Sequence, residues 1–289
     1  MRSVFPQFAI TPERFKEKIM TEKKIQLVTH NGSFHADEVT AVALLQLYGI
    51  LKKDQFEVLR TRDIEQINQA DIVVDVGAVH DAETRRFDHH QIKDAKISSA
   101  GLVWQWIKAQ TGQVNPEIDS FVHAIDRHDC GIEKMTGFSF AQIIAAYNDA
   151  DLFNDIKQQS AFNDAVNIAL KFIAHLKKKQ TQRKQAAQMI ASSQVLTIGK
   201  HKVLILAEYA PGWTELIHGA GKYSQISHVI WFVKEKNQWY IQIPSDKENS
   251  FVMGHPKLQD DENALFIHQN GFLGAYASKE AIFEMLGRQ

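Results

Sequence analysis

Short runs of β-branched and other apolar residues punctuate the first half of the chain, each followed by a segment with helical spacing. Ile25 to Thr29 reads as a short buried strand, and Asp37 to Leu51 as a helix. The helix has apolar residues at Val39, Val42, Ala43, Leu45 and Leu47 that follow one face only roughly, which predicts burial on more than one side. "FEVLRTR" (56–62) is a second strand, with a short helix from Asp63. "DIVVDVG" (71–77) is a third, and its unbroken Ile-Val-Val run suits a strand covered on both faces. Helices near 99–110 and 116–128 would cover the sheet. Strand alternating with helix predicts an α/β domain built on a largely parallel sheet.

The second half changes period. From about Ala161 to Ala191, Phe162, Val166, Ala169, Ile173 and Leu176 step by four and three, giving one apolar stripe on a long helix. Its other face carries Lys171, Lys177, Lys178, Lys179, Arg183 and Lys184, which reads as a solvated face or a local basic surface. After Gly199 come strands at 202–207, 227–233 and 238–244, the last two a hairpin across "KEKN". A strand at 264–268, a glycine-punctuated turn and a helix from Ser278 close the chain. The expected organisation is an extension at 1–19, an α/β domain at 20–150, a helical connection at 151–200 and a smaller α+β domain at 201–289.

Composition narrows the class. The 289 residues are 44% hydrophobic and 23% charged, which suits a globular protein with no bias to disorder. A formal net charge of −1 gives no global basic field, leaving only a local groove for nucleic acid. One cysteine, Cys130, excludes an intramolecular disulfide and fits a reducing cytoplasm. No stretch approaches the roughly 20 apolar residues of a membrane span. Residues 1–19 have no apolar core of a secretory signal. Cytoplasmic location, no membrane partner and an open oligomeric state are the expectations.

Polar groups gather where strands end. His30, His35 and Asp37 follow the first strand, Asp75 ends the third, and His89 lies on the loop soon after. Asp126 and Asp129 stand three apart at the end of a helix, on one face. Each alone has an ordinary reading as a turn, a cap or a solvated acid. Together they fall at the ends of successive elements of one sheet, where ligands of open parallel sheets collect. Imidazoles with carboxylates and no thiolate suit Mn²⁺, Zn²⁺, Fe²⁺ or Co²⁺, and a central aspartate can bridge two ions.

"THNGSFHADE", "RTRD", "DIVVDVG", "RFDHHQ", "SSAGLVW", "APGW" and "LFIHQNGFLG" occur in that order. From about Lys24 to the C-terminus the chain resembles the melanocyte-proliferating-gene family. That family was once labelled "metal-dependent protein hydrolase" and is related to the DHH phosphoesterases. The older label carries little weight, since the chain has no HExxH signature. The resemblance implies a DHH-type α/β domain and a smaller substrate domain across a cleft, joined by the long helix. It also implies two Mn²⁺ ions (Mg²⁺, Co²⁺, Fe²⁺ or Zn²⁺ as alternatives) and 3′-to-5′ exonuclease action on RNA or short oligonucleotides.

By position, the resemblance gives His30 and His35 to one ion, Asp37 and His89 to the other, and Asp75 to both. Asp126 or Asp129 completes the second set. Asp88 orients an imidazole, and His90 donates to a substrate phosphate, so Asp75, Asp88 and His90 form the catalytic group. His35 stands where the wider group commonly has aspartate, and Cys130 where relatives often have asparagine. In "FIHQNGFLGAYAS", Gly271 and Gly274 let backbone amides approach a phosphate that His268 contacts, with Ala275 replacing an expected glycine. Arg62 either grips phosphate or forms a surface ion pair. Trp213 in "APGWTELIH" either stacks on a base or packs between domains. The rival functions are a small-nucleotide phosphodiesterase or phosphomonoesterase, and a non-catalytic metal-containing binding protein.

Overall fold

In a computed structural model, residues 23–133, 138–217, 222–244 and 258–288 are described. The expected extension at 1–19 lies outside them. The chain divides into two compact units, the first ending at His175 and the second running from Leu176.

In the first unit β1 (Ile25–Thr29) buries Leu27, Val28 and Thr29, and leads through a six-residue loop, 30–35, to α1 (Ala36–Leu47). Every residue of α1 from Ala36 to Leu45 is buried, which accounts for its blurred apolar face. β2 (Phe56–Arg60) pairs parallel with β1, in register from Ile25 with Phe56 to Thr29 with Arg60. Asp63 caps α2 (Ile64–Gln69), its carboxylate accepting the amides of Glu65 and Gln66. β3 (Ile72–Val74) pairs parallel with the opposite side of β1. The hairpin of β4 (His80–Asp81) and β5 (Arg86–Phe87) completes the sheet.

The strand order is β2-β1-β3-β5-β4, parallel except at the β4 edge. The chain moves outward from β1 to β2 and then returns to β3 on the other side. That reversal opens a crevice at the carboxyl ends of β1 and β3. α3 (Ser99–Thr111) packs on α1, followed by α4 (Pro116–Asp129) and α5 (Phe140–Ala145). Asn115 caps α4 and Gly112 ends α3 in the left-handed conformation. α6 (Asp155–Ser192) is longer than its apolar stripe predicts, and the division between the units falls inside it.

The second unit is a mixed sheet in the order β10-β11-β9-β8-β7-β6. Its strands are β6 (Gln194–Ile198), β7 (His201–Leu206), β8 (His228–Val233), β9 (Gln238–Gln242), β10 (Ala264–Ile267) and β11 (Leu273–Tyr276). Among these described strands, only β7 and β8 pair parallel. One face packs Leu204, Leu206, Val229 and Trp231 with Ile190, and with Trp213 of α7 (Trp213–Leu216). The other packs Val203, Ile230 and Ile241 with Ile282 and Leu286 of α8 (Lys279–Arg288).

Several expectations change. β6 lies in the segment read as helical connection, yet it pairs along its whole length with β7. The glycine-rich stretch read as a turn contains β11, a central strand. Trp213 is fully buried beside Trp231 within the second unit, so it offers no face to a base. His218, in the same motif, lies outside the described residues. The basic face of α6 is partly tied down, with Lys179 Nζ 2.8 Å from Glu215 and Arg183 4.0 Å from it.

Candidate metal centre

Asp75 follows β3 with φ +57°, a left-handed conformation that an aspartate tolerates better than most residues. The turn places its carboxylate between the two flanking loops. On one side, Asp75 Oδ2 lies 3.3 Å from His30 Nε2, which follows β1. On the other, Asp75 Oδ1 lies 3.5 Å from His89 Nε2 and 3.5 Å from His90 Nδ1, both after β5. Ser99 Oγ donates to the same Oδ1 at 2.9 Å. His30, Asp75 and His89 are all buried.

Among the described residues, three groups bring ligand atoms within 4.8 Å of one another: His30, His35, Glu38 and Asp75; Asp75, His89 and His90; His89, Asp129 and Cys130. His89 Nε2 also lies 3.1 Å from Asp129 Oδ2. Asp75 therefore joins the first two groups, and His89 the last two. His30 Nδ1 lies 3.0 Å from the Asn31 carbonyl, which fits a proton on Nδ1 and leaves Nε2 facing the carboxylates.

Glu38 is the residue that sequence reasoning missed. Its Oε1 accepts the His35 amide at 2.8 Å, one half of a helix capping box, and lies 3.0 Å from His30 Nε2. The available signal was the spacing from His35 to Glu38 combined with an acidic pair on a helix buried all round.

Asp37 belongs to none of the three groups, although it lies near them. It is fully buried, and no described donor group reaches either carboxylate oxygen. Burial, with the charges of Asp75, Glu38 and Asp129 and then hydrogen bonding to Glu38, raises its pKa well above the usual carboxylate range. No donor reaches the buried Glu38 Oε2 either. Buried, unsatisfied carboxylate oxygens beside imidazoles are what a cation site leaves when only protein atoms are considered. The donor set of imidazole and carboxylate fits a divalent transition metal.

The carboxylates act strongly on the imidazoles. Burial pulls His30 down, but hydrogen bonding to Asp75 and Glu38 outweighs it and pushes the ring up to about 10. Hydrogen bonding to Asp129 and then Asp75 pushes His89 up to about 10. Burial would raise Asp75, yet His30 and His89 hold it far below the ordinary range.

The remaining candidates separate. Asp126 turns away from the groups: its Oδ1 accepts the Ser98 amide at 2.9 Å and hydroxyl at 2.8 Å. It ties the start of α3 to α4, and the carboxylate facing the cluster is Asp129. Asp88 is buried and accepts the amides of Ala78 (2.7 Å) and His90 (3.0 Å), with His90 Nδ1 2.7 Å from its Oδ1. His90 itself is largely exposed. Cys130 Sγ lies 4.0 Å from His89 Nδ1; burial, then Asp129 and Asp126, pushes the thiol up to about 11.

Two cavities flank the cluster within the first unit. One, of about 440 Å³, is lined by His35, Asp75, His89, His90, His128 and Asp129 among others. The second, of about 480 Å³, shares His35, Asp75 and His90 and reaches exposed Arg62.

In the second unit the His268 turn is satisfied internally. The His268 amide donates to Leu273, the Gly271 amide to the His268 carbonyl, and the Asn270 amide to His268 Nδ1. Gly271 has φ +67°. Gly274 does not belong to a phosphate-binding turn. It sits in β11 opposite Ile241 and Ile267, where an added Cβ would meet Ile241 and Leu258 side chains at 3.3 Å.

Residues 26–288 match the family designated MYG1_exonuc and described as "Uncharacterised protein family (UPF0160)". The chain belongs to this family. It is 29% identical over 280 residues to the MYG1 protein of Chlamydia trachomatis, covering 89% of this chain and 94% of that one. To the MYG1 exonuclease of Homo sapiens it is 26% identical over 344 residues, covering 98% and 90%. Among solved structures, exonuclease RecJ bound to manganese is 13% identical with a TM-score of 0.29, covering 96% of this chain and 91% of that one. A RecJ in complex with Mn²⁺ from Thermus thermophilus gives the same identity and score, and the match spans 55% of that chain. Likeness at that level carries no argument about the site. MYG1 membership and the site geometry are independent findings. Among the described residues, no helix is long and apolar enough to cross a membrane.

Proposed function

We propose that this MYG1-family chain is a metal-dependent phosphodiesterase. It removes nucleotides from the 3′ end of RNA or short oligonucleotides, in the cytoplasm, with two Mn²⁺ ions. The broad class, a hydrolase of exonuclease type, rests on family membership. The two-ion part of the reading rests on one observation, that the Asp75 carboxylate faces His30 with one oxygen and His89 with the other, while the RNA substrate and the 3′ direction rest on the family resemblance.

Divalent ions in such a site supply Lewis acidity toward a phosphate oxygen and toward water. His30, His35 and Asp75 would hold one ion; Asp75, His89 and Asp129 the other. Asp37 and Glu38 bring further negative charge to the same buried region. The residues themselves position the reactants. Asp88 fixes the His90 ring at Nδ1, and the imidazolium form can donate from Nε2 to a phosphate oxygen or to the leaving oxygen. Arg62, at the rim of the second cavity, supplies a fork for a phosphate. In the second unit His268 is the candidate for a phosphate contact, since the Gly271 amide is already given to the His268 carbonyl.

The decisive experiment is turnover of metal-free and Mn²⁺-supplemented protein on end-labelled oligoribonucleotides, a dinucleotide and an aryl phosphodiester. Mn²⁺-dependent shortening from the 3′ end is the expected result. Undiminished turnover in chelator, or none on any substrate, would reject the reading. Shortening from the 5′ end would overturn the stated direction.

A further inference from the structure

The six residues from His30 to His35 carry two of the imidazoles and form an irregular loop with Gly32 at φ +84°. A loop of this kind does not hold two ligands at a fixed separation unless its backbone is tied down. Two side chains from distant parts of the first unit do this. Arg60, at the carboxyl end of β2, donates from Nη2 to the Gly32 carbonyl at 2.6 Å. Asn148, after α5, grips the next turn of the loop on both sides. Its Oδ1 accepts the Phe34 amide and its Nδ2 donates to the Phe34 carbonyl, both at 2.9 Å.

The Arg60 guanidinium is an unusual group to bury. It lies 5.3 Å from the Phe34 ring centre and 5.1 Å from that of Phe162. Those two rings meet edge to face at 5.5 Å. Its buried Nε has no hydrogen-bond partner among the described residues. A desolvated cation whose short bond goes to a carbonyl is a costly way to build a core, and an apolar residue would fill the same space. What the arginine adds is a rigid fork, held between two rings, aimed at one backbone atom.

We infer that Arg60 and Asn148 are positioning residues that set the distance between His30 and His35, and so control affinity for the ion on that side of Asp75. The inference rests on the metal-centre reading above. Arg60 is the other arginine of "RTRD". Its partner in that motif, Arg62, is exposed, and Arg60 is built into the loop. Neither residue touches the His89 and Asp129 side of the cluster, so the effect is confined to one ion. Groups that orient a ligand typically change metal affinity by about 10- to 100-fold when removed.

The test is calorimetric titration of the metal-free full chain with Mn²⁺, alongside thermal melting. Wild type should show two uptake steps. Arg60→Met should weaken one step by about 10- to 100-fold and leave the other in place. Asn148→Ala, which removes no buried charge, should weaken the same step and keeps the test open if Arg60→Met does not fold. Two unchanged steps in folded variants, or equal weakening of both, would overturn the clamp. A wild-type chain that takes up no Mn²⁺ would instead reject the metal-centre reading on which the clamp depends.

Discussion

The carboxyl ends of β1, β3 and β5 and the turn between β10 and β11 both gather polar groups, but they treat them oppositely. At the strand ends, Asp37 and Glu38 are buried with oxygens that no described protein atom satisfies. In the turn, the His268 amide and ring and the Gly271 amide all find partners close by, and Gly274 is absorbed into a sheet. Burial without satisfaction is costly, and at Asp37 and Glu38, beside the imidazoles, a bound cation would complete the bonds. The first region leaves carboxylate oxygens for a ligand to complete, whereas the backbone amides of the turn need none.

The sharpest way to break this contrast is Asp75→Asn, which removes the charge shared by both sides. Metal content should fall from about two ions per chain to fewer than one. kcat/KM on any active substrate should fall on the order of 10³-fold. Full occupancy by elemental analysis would strip Asp75 of its bridging role.

Next comes pH. In the metal-free chain His30 and His89 are raised to about 10, so their contribution is fully present below about pH 6.5. It is lost as pH rises toward 10. Asp37, raised by burial, works in the same direction, because ionising it costs stability. Asp75 is depressed, so its contribution is lost only in acid. Tm of the metal-free chain should therefore fall by several degrees from pH 6.5 to 10. The Mn²⁺-loaded chain should gain on the metal-free chain over that range, because metal uptake displaces protons. A metal-free Tm that climbs with pH would contradict the coupling of these imidazoles to the carboxylates.

Asp126 and Asp129 give a smaller, paired test. Asp126→Ala should cost roughly 1–3 kcal/mol of stability by leaving the Ser98 groups unsatisfied, with metal content unchanged. Asp129→Ala should weaken Mn²⁺ uptake, which Asp126→Ala does not, and should lower the metal-free Tm through the lost contact with His89. Denaturant titration beside metal analysis separates them, and a reversed pattern would return Asp126 to the cluster.

The smallest effects belong to the second region. His268→Ala should lower kcat/KM a few-fold at constant metal content, while Gly274→Ala should cost about 1–3 kcal/mol through overpacking. Loss of metal in His268→Ala would give that histidine a structural role in place of a substrate contact.

These outcomes bear on what the sequence could disclose. β1 and β3 were legible because a parallel strand covered on both faces needs a continuous apolar run. The β4–β5 hairpin was not, since two-residue strands carry no period, and α5 is barely longer. β6 was hidden by the long helix it follows, and β11 by glycines that suggested a turn. At the site, His30, His35, Asp75 and His89 stood out as residue types that have little reason to follow strands together. Glu38 looked like an ordinary helix-start acid, which it also is. Asp126 and Asp129 share a helix face, so only the position of Ser98 separates them. Asp37 was legible as a candidate, but its isolation from the three groups was not.

The backbone at Asp75 limits what substitution can achieve there. At φ +57° a side chain branching from Cβ meets the following carbonyl, at roughly 1–2 kcal/mol for most residues, and Asp and Asn are the mildest exceptions. Glutamate keeps the charge at that strain and with a longer reach, and asparagine keeps the turn but not the charge. Ala78 and Arg85 adopt nearly the same φ, so the turn alone excludes few residues. A library randomised at this one codon should return aspartate when selected for activity, and a broad set led by asparagine and glycine when selected for folding alone.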